Sequence, residues 1–285
     1  MNEIYLTDAG AARVADAYRE ILREWPTPNE QMRVPTRHGE TFVVACGPRD
    51  APPVLLFHGA ISNAAAWMFD APAWARHFRL YAIDMIGETG FSAPARPPLD
   101  SDAYATWIDD ILAALGVGRA GVVGVSLGGW LAFDYAVRRP DRVTAVAALC
   151  PAGIGAQKNF MLAALPLLLL GPWGARKMRE LVFGPAMAAT SPTMARFGEF
   201  LVLLHANARR RIIKIPRVSD AALKALSVPV LAIVGGKDVM LDSADTRRRL
   251  QTNVAGAEVH YLPGARHVLR GQGHVIEGFL RRALA

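Results

Sequence analysis

The chain is 285 residues long, 52% hydrophobic and 20% charged, with a net charge of +7. That is ample apolar material for one large core carrying an insertion, and the slightly low charge content implies that some apolar surface is hidden in a cleft or interface. The basic excess does not make a nucleic-acid face, because the arginines are dispersed and no aromatic residues interleave with a basic stripe.

The opening, MNEIYLTDAG, lacks the basic start and apolar stretch of a signal peptide, so a soluble cytoplasmic protein is expected. Asp8 to Trp25 reads as a helix: Val14, Tyr18, Ile21, Leu22 and Trp25 share one face, Thr7 or Asp8 can cap it, and Pro26 and Pro28 end it. An alternation of strands and helices follows. Thr41 to Cys46 is strand-like, Pro53 to Phe57 is a continuous apolar run typical of a doubly buried strand, and Ala66 to His77 is helix-like. Arg79 to Ile83 is a strand, and Ser101 to Leu115 a helix with Ser101 as N-cap. Ala120 to Val125 is a strand, Leu127 to Arg138 a helix, and Val143 to Leu149 a strand. From Pro151 to Ser219 the pattern lapses into Leu-, Ala- and Met-rich sequence broken by prolines and glycines. Its most apolar run, Met161 to Trp173, is too short for a membrane span. Its densest basic stretch, Arg209, Arg210, Arg211, Lys214 and Arg217, reads first as a solvated helix face and second as a patch for anions. The alternation resumes with a strand at Pro229 to Val234, a helix at Ser243 to Val254, a strand at Glu258 to Leu262 and a helix at Gln272 to Leu284. Cys46 and Cys150 sit in apolar strand-like segments, match no metal-site or redox spacing, and read as buried free thiols.

This pattern predicts an α/β fold with a mostly parallel central sheet flanked by helices. Residues 1–150, with the N-terminal helix, and 220–285 are expected to form one core. Residues 151–219 are expected to form a helical cap inserted between two core strands.

The sharpest motif is Gly124-Val125-Ser126-Leu127-Gly128, a G-x-S-x-G placed between a strand and a helix. That context is a nucleophile elbow: the tight turn lifts the serine hydroxyl out of the sheet and sets the Leu127 N–H at a helix start, where it can donate to an oxyanion. A serine hydroxyl needs a base to take its proton and a carboxylate to orient that base, following in the order Ser, Asp or Glu, His. Asp238 ends the loop after PVLAIV, and His267 lies in the loop after VHYL, both at the C-terminal edge of the sheet, where functional groups of such sheets collect. Asp242 is the rival acid, although its position suits a helix cap. Of the seven histidines, His38, His77, His205 and His260 lack a suitable context, and His274 is the other candidate base. The second oxyanion donor is expected from the loop His58-Gly59-Ala60, as the Ala60 N–H, with Gly59 permitting a sharp turn and His58 bracing the loop. Phe160, Met161, Leu165, Leu168 and Trp173 are candidates for an acyl pocket, or simply pack the cap on the core.

In these motifs the chain resembles the α/β-hydrolase superfamily, over nearly its whole length. Ala82 to Pro94, AIDMIGETGFSAP, together with PTRHGETFVV and DAPPVLLFHGA, is similar to the bacterial NAP-type carboxylesterases. The resemblance implies Ser126 as nucleophile, Asp238 as acid, His267 as base, and Ala60 and Leu127 as oxyanion donors. It also implies a carboxylesterase that needs no cofactor or metal, acting on a small-molecule ester rather than on nucleic acid. Serine at the elbow separates the chain from dehalogenases and epoxide hydrolases, and HGAISN separates it from carbon–carbon bond hydrolases. A thioesterase, lactonase or perhydrolase/haloperoxidase-like activity on the same triad stays open, as does a weakly catalytic ligand-binding homologue. The sequence assigns no oligomeric state.

Overall fold

A computed structural model describes residues 4–159, 166–167, 169–184, 190–209 and 214–285. Its strands are β1 (Asn29–Val34), β2 (Thr41–Cys46), β3 (Pro53–Phe57), β4 (Arg79–Ile83), β5 (Ala120–Val125), β6 (Val143–Leu149), β7 (Val230–Gly235) and β8 (Glu258–Leu262). They form one sheet in the order β1-β2-β4-β3-β5-β6-β7-β8. β2 pairs antiparallel with both β1 and β4, and every other pairing is parallel. The chain order reverses at β3, which lies between β4 and β5. The loops leaving the C-terminal ends of β3 and β5 therefore diverge around a crevice, the usual site position in such sheets.

The apolar strands are buried on both faces because helices cover both. The period of two divides them. In β2, Val43 and Ala45 join one core cluster, while Phe42, Val44 and Cys46 join the other. In β3, Leu55 and Phe57 oppose Val54 and Leu56 in the same way. The first cluster is completed by α3 (Ala103–Ala114) and α4 (Leu127–Arg138), and the second by α1 (Asp8–Arg23) and residues near α2 (Ala71–Trp74).

Thr7 caps α1 through its side chain, and Val14, Tyr18, Ile21 and Leu22 are its buried stripe, as their spacing implies. Between β6 and β7 the described residues include α5 (Gly171–Phe183), α6 (Pro192–Asn207) and α7 (Asp220–Lys224). α6 returns to the core by stacking Phe200 on Tyr18 of α1 at 5.7 Å. α8 (Ser243–Asn253) and α9 (Gly273–Ala283) flank β8 in sequence. Among the described residues no helix is long and apolar enough to cross a membrane. Cys46 and Cys150 are buried free thiols.

Asn29–Val34, to which the sequence pattern assigns no element, is an edge strand with one buried residue and so shows no apolar period. Three local expectations are corrected. Ala66 to His77 is a 3₁₀ turn at Ala64–Trp67 followed by the single turn α2, because Asn63 caps the first piece and Pro72 starts the second. α3 begins at Ala103, and Ser101 accepts only a weak 3.3 Å bond from the Ala103 N–H. The basic stretch is not a helix face in its described part. Arg209 donates to the Tyr5 carbonyl at 2.8 Å, and Arg217 pairs with Asp245 at 2.5 Å, each pinning extended chain to the core. Arg210 and Arg211 lie outside the described residues.

Candidate active site

β5 runs without a break through Ser126 into α4. Ser126 has φ 53° and ψ −108°, a conformation that non-glycine residues rarely adopt. The surrounding hydrogen bonds hold it there. The Ser126 N–H donates to the Leu149 carbonyl at 2.9 Å, and its carbonyl accepts from Trp130 at 3.0 Å and Ala152 at 3.1 Å. The motif glycines are steric necessities. A Cβ on Gly124 would meet the Gly128 carbonyl oxygen at 2.1 Å, and one on Gly128 would meet the Phe57 carbonyl oxygen at 2.2 Å.

Two other loops converge on this turn. His267 Nε2 lies 3.0 Å from Ser126 Oγ, and His267 Nδ1 lies 2.7 Å from Asp238 Oδ2. The second Asp238 oxygen accepts from the Met240 N–H at 2.8 Å and the Leu241 N–H at 3.0 Å. Asp238 and His267 are only 2% and 7% exposed. Burial pushes the Asp238 carboxyl up, but the His267 hydrogen bond and charge, with the two backbone N–H donors, outweigh it and leave the carboxyl below its ordinary value. Asp242 instead caps α8, its Oδ1 accepting from the Asp245 N–H at 3.0 Å.

The β3 loop lies against the elbow: a Cβ on Gly59 would sit 3.7 Å from Ser126 Cβ. Among the described residues, neither the Ala60 nor the Leu127 N–H donates to any acceptor. Both remain available to an oxygen bound in the crevice. The left-handed residue of this loop is Ile61, at φ 52°. His58 braces the loop. Its Nε2 accepts from the Met85 N–H at 2.9 Å, and burial pushes its ring down to about 4, so it stays neutral.

Of the acyl-pocket candidates, Phe160, Met161, Leu165 and Leu168 lie outside the described residues. Trp173 is 49% exposed, with the Lys177 ammonium 6.0 Å from its ring.

Three participants were not legible in the sequence. Lys158 donates from Nζ to the Asp238 carbonyl at 2.7 Å, tying residues after β6 to the acid loop. Cys150, at φ 42°, is buried beside Asp238 and His267. Burial, reinforced by the Asp238 charge, pushes its thiol far up, so it stays protonated. Glu88, 4% exposed, accepts the Ile61 N–H at 2.9 Å. Among the described residues, Cys150, Asp238 and His267 also form the one cluster of metal-ligating types, but two of them are already bonded to each other.

A serine on a strained strand-to-helix turn, backed by histidine and aspartate at one sheet edge, is the arrangement of an acyl-transfer hydrolase. Residues 52–271 match the alpha/beta hydrolase fold family, and the chain belongs to it. It is 29% identical over 263 residues to carboxylesterase YbfK of Bacillus subtilis, covering 90% of this chain and 88% of that protein. It is 28% identical over 267 residues to the uncharacterized carboxylesterase nap of the same organism, covering 93% and 89%. Among solved structures, naproxen esterase from Bacillus subtilis superposes with a TM-score of 0.81 at 27% identity, covering 98% of this chain and 99% of that one.

Proposed function

We propose that the protein hydrolyses carboxylic esters of small to medium apolar compounds through an acyl-enzyme on Ser126. The observation that carries this reading is the unbroken chain from Asp238 through His267 to Ser126, with contacts of 2.7 and 3.0 Å. Its similarity to two carboxylesterases over about nine-tenths of the chain supports the same chemistry.

In the first step Ser126 Oγ attacks the ester carbonyl carbon while His267 Nε2 takes its proton. Asp238 holds the ring through Nδ1 and stabilises the imidazolium. The Ala60 and Leu127 N–H groups receive the developing oxyanion, each worth about 3 kcal/mol in the transition state. The tetrahedral intermediate collapses, and His267 returns the proton to the leaving alcohol. Water then gives a proton to His267 Nε2 and attacks the acyl carbon; as this second tetrahedral intermediate collapses, the acyl carbon–Oγ bond breaks and His267 returns the proton to Ser126 Oγ, releasing the acid.

Residues 151–219 act in this reading as a cap over the crevice, with Phe160, Met161, Leu165, Leu168 and Trp173 contacting the acyl group. Two reduced, buried cysteines fit a cytoplasmic setting. Hydrolysis of p-nitrophenyl acetate and butyrate tests the assignment. The wild type is expected to turn both over, and Ser126→Ala to lose at least about 10³-fold in kcat. Equal turnover by the variant would overturn it. A panel of esters, thioesters and lactones ranks the substrate classes, and a thioester or lactone preference would displace the ester reading.

A further inference from the structure

The stretch AIDMIGETGFSAP contributes nothing to the triad, yet it is strapped to the loop after β3 at four points. His58 Nε2 accepts from the Met85 N–H at 2.9 Å, and Asp84 Oδ1 accepts from the Ala64 N–H at 2.8 Å. Between these, Glu88 Oε2 accepts from the Ile61 N–H at 2.9 Å, and Thr89 Oγ1 donates to the Ser62 carbonyl at 3.0 Å. Glu88 and Thr89 are only 4% and 2% exposed.

The two middle contacts hold an unusual residue and its neighbour, Glu88 the Ile61 N–H and Thr89 the Ser62 carbonyl. Ile61 is β-branched and sits at φ 52°, a region such residues avoid unless their surroundings enforce it. Its N–H belongs to the peptide that follows Ala60. Fixing that peptide plane fixes Ala60 ψ and the course of the chain through Ala60, and with it the direction of the Ala60 N–H. Thr89 holds the Ser62 carbonyl, one residue beyond Ile61, so the turn is tied on both sides of its strained residue.

We propose that Glu88, assisted by Thr89, is a positioning residue that holds the Ile61 turn so that the Ala60 N–H meets the oxyanion of the reaction at Ser126. This rests on the assignment of Ser126 and Ala60 made above. Glu88 touches no reacting atom; it acts through the loop.

The test compares Glu88→Ala, Glu88→Gln and Thr89→Val with the wild type on p-nitrophenyl butyrate. Rates are normalised to the fraction of enzyme titrated by a fluorophosphonate, so that unfolded protein is not counted. Each protein is also titrated with a trifluoromethyl ketone, which adds to a serine Oγ and places an oxyanion in the same position as the substrate does. Glu88→Ala is expected to lower kcat about 10- to 100-fold, below the cost of deleting a donor outright, with KM within about twofold. The inhibition constant for the ketone rises in proportion. Glu88→Gln, whose amide oxygen can still accept from Ile61, recovers most of the loss. Wild-type kcat in Glu88→Ala, lost kcat with unchanged ketone affinity, or Glu88→Gln as impaired as Glu88→Ala would each overturn the proposal. If Glu88→Ala does not fold, Thr89→Val decides: a parallel loss of kcat and ketone affinity supports the clamp, and wild-type values overturn it. Failure of the underlying assignment reads differently, as a wild type insensitive to the ketone or a Ser126→Ala variant that stays active.

Discussion

Asp238 spends one oxygen on His267 and the other on the Met240 and Leu241 N–H groups, so its carboxylate is held in both position and charge. Replacing it with asparagine keeps the size but presents the ring with the wrong hydrogen-bond partner. Asp238→Asn is expected to lower kcat on the order of 10³- to 10⁴-fold, measured at steady state on p-nitrophenyl butyrate. A loss below about tenfold would move the acid role elsewhere. Ser126, Asp238 and His267 were legible because each follows a readable strand within a short loop of Gly or Pro character. Glu88 was not. Its partner, the Ile61 N–H, is a backbone group some 27 positions away, and nothing in a sequence records which carboxylate reaches it. Gly59 drew attention for the same reason that Ile61 escaped it: glycine signals a sharp turn, whereas here the strained angle falls on a residue held by its surroundings.

At the level of elements, the elbow requires β5 and α4 to approach more closely than side chains allow. With a Gly128 Cβ placed at 2.2 Å from the Phe57 oxygen, Gly128→Ala forces β3 and α4 apart rather than displacing a soft side chain. The expected cost is about 3 kcal/mol or more in urea unfolding, with loss of activity, and a variant of wild-type stability would contradict the packing described. The inner strands β3, β5, β6 and β7 match their predicted spans to within a residue because both faces are buried and, Thr144 apart, their positions carry no polar side chain. The edge strand β1 has no such pattern. Nor does the segment around Ala64–Trp74, whose alanines and tryptophans fit any buried conformation, so capping by Asn63 and the position of Pro72 decide it.

For the molecule as a whole, two buried groups act in opposite directions as pH falls. His58 is pushed by burial from the usual 6.5 down to about 4, so the unfolded chain binds more protons between those values and stability is lost on acidification through that window. Asp84 is pushed by burial from 3.8 up to about 6, against three hydrogen bonds, so the folded chain binds more protons there and stability is gained on acidification. The two largely offset each other between pH 4 and 6. Asp84→Asn removes the gain and leaves the loss. Going from pH 6.5 to 4.5, the variant is expected to lose about 2 kcal/mol more than the wild type, read by urea unfolding at the two pH values. Parallel behaviour would show that Asp84 is ionised throughout.

All of these features converge on one atom, Ser126 Oγ. The most direct measurement is peptide mass spectrometry after labelling with a fluorophosphonate at neutral pH. A single phosphonyl adduct is expected on the peptide carrying Ser126, absent in Ser126→Ala and strongly slowed in a His267→Asn variant. An adduct on another residue, or labelling that survives Ser126→Ala, would contradict the account.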